Sequence, residues 1–207
     1  MNHSRDPSPA CGDRFFQRSP EWISRTIAWA TRQPRETPTL ATHDGLFVGA
    51  GTLMHCYSAA GGRVVPVSWA FYRHELEREG CEWCILRREP EFTPIEQDRL
   101  RAAAWPYNGR RYSVGEVGLQ FIDQRLLGGR LLFRRLGNLS PRLICSKFAV
   151  MPFIAIGEDP PSARYEAPDD TWDRLFRQTP AIKGGDPYWY AVLKSDAWFE
   201  PAIAPAV

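Results

Sequence analysis

The sequence predicts an α+β domain: a small antiparallel sheet packed by helices. Short apolar blocks broken by glycines recur at 42–67, 83–87 and 188–193, which is the pattern of strands and tight hairpins. Two capping-box signatures, Thr93-Pro94-Ile95-Glu96 and Ser113-Val114-Gly115-Glu116, mark helix starts between the last two blocks. The composition also permits a substantial core, with 43% hydrophobic and 13% aromatic residues, eight of them Trp, in 207 residues. That length suits one ordinary domain.

Residues 1–18 are polar and non-periodic and read as a flexible lead-in. The domain is expected over 19–195, with 196–207 as a frayed tail. Ser19 can N-cap a helix, Pro20 suits its first position and Glu21 its positive end. Trp22, Ile23, Ile27 and Ala30 follow at helical spacing until Pro34. Strands are expected from Thr42 to Val48 and from Thr52 to Ser58, joined by a three-residue Gly49–Gly51 loop. Arg63–Val67 and Trp83–Arg87 read as further strands. One helix should run from Thr93 to about Ala104 and another from Ser113 to about Leu127, closed by Gly128-Gly129. Leu143–Met151 is an apolar run that reads as a buried helix with Cys145 near its start. Residues 157–170 read as a surface loop, Thr171–Arg177 as a short helix and Tyr188–Leu193 as the last strand.

Several function classes drop out early. Lys and Arg number 26 against 24 Asp and Glu, a net charge of +2, so no broad field draws the chain to nucleic acid or an anionic membrane. No apolar run approaches the roughly 18 residues of a membrane span, and the N-terminus has no apolar segment of signal-peptide length. Five scattered Cys form no disulfide framework and fit a reducing compartment, so a cytoplasmic location is expected. No phosphate-binding loop or nucleophile elbow is present.

The chemistry therefore rests on a few His and Cys. His43 and His55 stand twelve residues apart across the glycine hairpin. With Val48 opposite Thr52, Gly45 faces His55 and His43 faces Tyr57. Alternation then puts both imidazoles on one face as diagonal neighbours, about 6–8 Å apart at Cβ. Such a pair can act as a base and its orienting partner, or as two satisfied core histidines. No third ligand lies at short spacing to complete a metal site. Cys145 is the candidate nucleophile, because a thiol near a helix start and an imidazole ionises readily; alone, it reads as a small buried hydrophobe. Cys81 and Cys84 lead into a strand, where positions three apart point to opposite faces, so they should hold no metal. Cys56 points away from His55. Cys11 falls in the lead-in, and His3 and His74 should be solvated. The arginine pairs 87–88, 110–111 and 134–135 read as solvated faces.

In order, spacing and local context, His43-Asp44-Gly45-Leu46-Phe47-Val48-Gly49, then His55, then Cys145-Ser146-Lys147-Phe148 resemble the circularly permuted branch of the papain-like cysteine hydrolases. That branch includes lecithin:retinol acyltransferase-like proteins and bacterial cell-wall-peptide amidases. The segments SPEWISRTIAWATR, Gly62–Pro66, Pro106–Gly109 and PDDTWDRL extend the resemblance over about 20–195. Bacterial members often carry Cys-Ser-Glu where this chain has Cys145-Ser146-Lys147, and a Gly-Asp segment usually opens their domain. The resemblance implies a permuted papain-like fold and a cysteine-dependent amidase or acyltransferase without metal or organic cofactor. Cys145 would be the nucleophile, His43 the base that forms an ion pair with it, and His55 the residue orienting His43. The implied partner is a peptide or acyl-amide substrate. The alternative is a non-catalytic interaction module, such as a phage-associated protein, that keeps the scaffold.

Overall fold

The structure is a computed structural model that describes residues 8–20, 41–57, 60–111, 145–165, 171, 175, 188–196 and 198. The helices expected after Ser19 and after Ser113 lie outside these residues, as does most of the one expected at 171–177. The described elements are β1 (Arg14–Arg18), β2 (His43–Gly49), β3 (Thr52–Tyr57), β4 (Arg63–Ser68), α1 (Trp69–Arg78), β5 (Glu82–Glu89), α2 (Pro94–Ala104), α3 (Cys145–Ala155) and β6 (Tyr188–Lys194). The six strands form one sheet in the order β4-β3-β2-β1-β5-β6, with every neighbouring pair antiparallel. With α1, α2 and α3 packed against it, this is the expected α+β class.

The lead-in reading fails for residues 8–18. Arg14–Arg18 is a strand with neighbours on both sides, pairing Phe15 with Gly45 of β2 and with Ile85 of β5. Its pattern is too short to announce itself: Phe15 and Phe16 are adjacent, so they look like a local apolar pair rather than an alternating strand. In the sheet they point to opposite faces, and both are buried. The tail reading fails as well at Trp198, which packs into the core beside Phe153 and Trp189.

Each face of the sheet carries its own core. On the first face Phe15, Phe47, Leu53, Trp83 and Ile85 meet Trp69, Tyr72 and Leu76 of α1. On the second, Phe16, Leu46, Met54, Cys84 and Leu86 meet Leu100 and Ala104 of α2 and Phe148 and Phe153 of α3. Helix α1 is not predicted by the sequence pattern, in which His74 reads as solvated. Three buried positions spaced three and four apart suffice once they have a sheet to cover. By contrast α2 starts where expected: the Thr93 hydroxyl accepts from the Glu96 backbone N–H, and the Glu96 carboxylate accepts from that of Thr93.

Two buried ion pairs anchor the first strand and the turn before it. Asp13 accepts a two-pronged contact from Arg87 of β5 (2.8–3.3 Å). Arg14 reaches Asp159 at 2.6 Å while its guanidinium lies 3.6 Å over the Phe153 ring. Arg88 pairs with Glu158 at 2.7 Å. The 87–88 arginines are thus internal ties rather than a solvated face, whereas Arg110 and Arg111 are exposed.

The central position of β1 makes a quantitative expectation. Phe15→Ala should lower unfolding free energy by about 3–5 kcal/mol, the range for removing a fully buried ring. Urea denaturation followed by tryptophan fluorescence measures this, and a loss below about 1 kcal/mol would contradict a central strand.

Candidate functional site

His43 is the first residue of β2 and His55 lies within β3. Gly45 faces His55 and Phe47 faces Leu53 in the strand body, as the sequence implies. The turn differs. Gly49 rather than Val48 pairs with Thr52, and the turn is Ala50-Gly51, with Gly51 at φ +63°. Val48 is taken up as a bulge, so a two-residue turn yields the same register as the expected three-residue loop.

The register puts both imidazoles on the α1 face, where His43 Nε2 lies 3.0 Å from His55 Nδ1. Gly45 makes that approach possible. A Cβ at this position would stand 2.9 Å from the His55 Cβ and 3.1 Å from the Met54 carbonyl oxygen. His55 is buried beneath Tyr72, with ring centroids 4.2 Å apart, and Phe15 and Tyr57 stand on its other flanks. His43 is half-buried and meets Phe15 edge-on.

An imidazolium in such apolar surroundings loses hydration without gaining a counterion. Burial pushes His43 down to about 4. His55 is also driven well below its ordinary value, first by burial and then by repulsion from His43. At neutral pH the pair is uncharged. One ring therefore donates and the other accepts, which fixes their relative orientation and leaves Nδ1 of His43 outside the bond.

Cys145 is buried and lies in α3. That helix seats Phe148 and Phe153 on the second face, opposite the imidazole pair. Among the described residues, no hydrogen bond joins Cys145 to either imidazole. The structure thus unites His43 with His55 and holds the Cys145 helix across the sheet, whereas the resemblance implies a Cys145 thiol beside His43. Parity along β2 fixes the side of His43, but nothing in the local sequence fixes the face on which a later helix lands.

The other candidates separate cleanly. Cys81 belongs to the first-face core and Cys84 to the second, so the two sulfurs diverge as strand alternation requires. None of the five cysteines is in a disulfide. Cys56 packs against the second face, and burial pushes its thiol up to about 12. Cys11, assigned to the lead-in by sequence, is buried, with its Sγ 3.5 Å from the Gln97 carbonyl; burial raises its thiol despite nearby Arg101. His74 is exposed; His3 and Arg134-Arg135 lie outside the described residues. Among the described residues no cluster of three His, Cys, Asp or Glu could hold a metal ion. The sequence reading missed Gln17, which pairs directly with His43 across β1 and β2, and Tyr72. Recognising β1 would have exposed Gln17; Tyr72 requires knowledge of where α1 packs.

No family model and no curated protein matches the chain. Among solved structures, the crystal structure of the metalloprotein yiiX from Escherichia coli O157:H7 (DUF1105) is similar at 19% identity and a TM-score of 0.41, over 78% of this chain and 94% of that one. A likeness at that level carries nothing about what this chain does.

Two measurements check the site. The depressed imidazole values mean the unfolded chain binds more protons than the folded one below about pH 6.5, so stability is full above that pH. It should fall as pH drops from about 6.5 toward 4, by up to about 1.4 kcal/mol for each unit of His43 depression. Urea midpoints across that range should show the slope, and His43→Gln should flatten it. Separately, Gly45→Ala should push His55 from His43 and break the Nε2–Nδ1 hydrogen bond, which long-range ¹H–¹⁵N NMR of the two rings would report as mixed tautomers. Ring signals like those of the wild-type chain would show that the close approach does not depend on Gly45.

Proposed function

We propose that this chain is a cysteine-dependent acyl-transfer enzyme acting on an amide or ester. Its candidate substrates are a cell-wall peptide, an isopeptide or an acyl-lipid amide. The observation that carries the reading is the 3.0 Å contact between His43 Nε2 and His55 Nδ1. It gives His43 an orienting partner at one ring nitrogen and leaves the other for a substrate-side proton. The order His43, His55, Cys145 and the resemblance to permuted papain-like cysteine hydrolases supply the nucleophile.

In this reading the Cys145 thiol gives its proton to Nδ1 of His43 as sulfur bonds to the substrate carbonyl carbon. His43 then returns that proton to the departing amine or alcohol, leaving a thioester on Cys145. Water or another acceptor attacks the thioester, and the thiol is restored. Because burial holds His43 near 4, its role at neutral pH is that of an uncharged base rather than half of a standing ion pair. The reading requires the Cys145 thiol to meet His43 at the end of β2, where His43 is the terminal residue, rather than through the sheet. No helix among the described residues is long and apolar enough to cross a membrane, and an odd number of scattered cysteines fits a cytoplasmic location.

One arrangement favours a second reading, a non-catalytic interaction module. The imidazole pair sits under Tyr72 while α3 packs across the sheet, as two structural histidines and a structural thiol would.

Dose-limited iodoacetamide labelling with peptide mapping separates the two. A catalytic Cys145 should label first among the five thiols, and His43→Ala should slow it without changing Cys11. With 4-nitrophenyl acetate, Cys145 should acquire one acetyl group, and His43→Ala should slow that step by about 10²–10⁴-fold, the usual contribution of a general base. Equal labelling of Cys145 and Cys11, indifferent to His43→Ala, would establish the non-catalytic module instead.

A further inference from the structure

The neutral imidazole pair has one proton between its rings, and its position decides whether His43 can act as a base. If His43 Nε2 carries it, His55 Nδ1 accepts, His43 Nδ1 is a bare lone pair, and the second proton of the pair sits on His55 Nε2. If His55 Nδ1 carries it, His43 Nδ1 is protonated and cannot take a proton, and His55 Nε2 is the bare atom. The two states therefore differ inside the protein at one buried atom, His55 Nε2. Among the described residues that atom has no hydrogen-bond partner.

What surrounds His55 is aromatic. The Tyr72 ring lies 4.2 Å away at 45°, Tyr57 5.5 Å away at 38°, and Phe15 6.4 Å away at 69°. The face of such a ring is negative, so a ring face against His55 Nε2 favours an N–H there over a lone pair. Tyr72 is the nearest of the three and is held at both ends. Its ring also meets Phe15 at 5.8 Å. Its hydroxyl donates to Gln17 Oε1 at 2.8 Å, and Gln17 Nε2 lies 3.5 Å from Cys81 Sγ. Gln17 in turn sits opposite His43 across β1 and β2.

We propose that Tyr72 is a positioning residue: its ring over His55 holds the proton on His55 Nε2, and so keeps His43 Nδ1 unprotonated and able to accept a proton. The proposal rests on the catalytic reading for its purpose but not for its test. No group is oxidised or transferred; the ring selects between two neutral tautomers. The titratable groups around Tyr72 are His55, Tyr57 and Cys81, with Glu79 just after α1 and Glu75 one turn along it, bonded to the Tyr57 hydroxyl.

Long-range ¹H–¹⁵N correlation spectra of protein labelled at histidine report ring tautomers directly. At neutral pH the wild-type chain should show the Nε2–H form at both His43 and His55. Tyr72→Phe, which keeps the ring against His55 and Phe15, should retain it. Tyr72→Leu should give mixed tautomers at both rings and a His43 titration midpoint at least one unit higher. Where the Leu variant fails to fold by circular dichroism, Tyr72→Met fills the same space without an aromatic face and should behave as Leu. A folded Leu or Met variant that keeps the Nε2–H form at both rings would overturn the proposal, as would the opposite tautomer in the wild-type chain. Failure of the catalytic reading looks different: Cys145 would be unreactive in the labelling experiment while the tautomers still follow Tyr72.

Discussion

Everything described here leans on a five-residue strand. β1 has a paired strand on each side and an aromatic ring on each face, so its removal would split the sheet and open both cores at once. Phe15 belongs to the layer under α1 and Phe16 to the layer under α2 and α3. The buried contacts of Asp13 and Arg14 then fix the strand laterally to β5 and to the segment after α3. Buried ion pairs contribute little net stability against well-packed apolar side chains, but breaking one strands a charge. Their effect is to permit one placement of β1 rather than to deepen the core.

That placement also creates the environment of the imidazole pair. Phe15 touches both rings, and Gln17 stands across from His43. With α1 on the other side, the pair loses water from above and below, which accounts for its neutrality. An imidazole that stays uncharged near pH 7 can accept a proton, but it does little to ionise a neighbouring thiol. The chemistry open to the pair is therefore proton transfer during bond formation rather than storage of a thiolate.

Much of the candidate site was legible because strand geometry is local. The spacing of His43 and His55 and the parity of the hairpin placed both rings on one face, and Gly45 opposite His55, from residue numbers alone. Even an unforeseen bulge at Val48 left that register intact, since it compensates the shorter turn. The divergence of Cys81 and Cys84 followed from the same alternation, and the α2 cap from two side chains three residues apart.

The features that escaped are those whose signal lies elsewhere in the chain. Phe15-Phe16 becomes a strand because β2 and β5 supply hydrogen-bond partners on both sides. Trp69, Tyr72 and Leu76 become a helix face because a sheet needs covering. Arg87 is internal because Asp13 meets it. Local sequence determined the α+β class, the hairpin, the capped helix and the joining of two histidines, since each depends on periodicity or on contacts within a dozen residues. Tertiary structure alone decided that α1 would lie over the imidazoles and the Cys145 helix against the opposite face. Which side of a sheet a helix covers depends on the competition of whole apolar surfaces, and no short stretch of chain encodes the outcome.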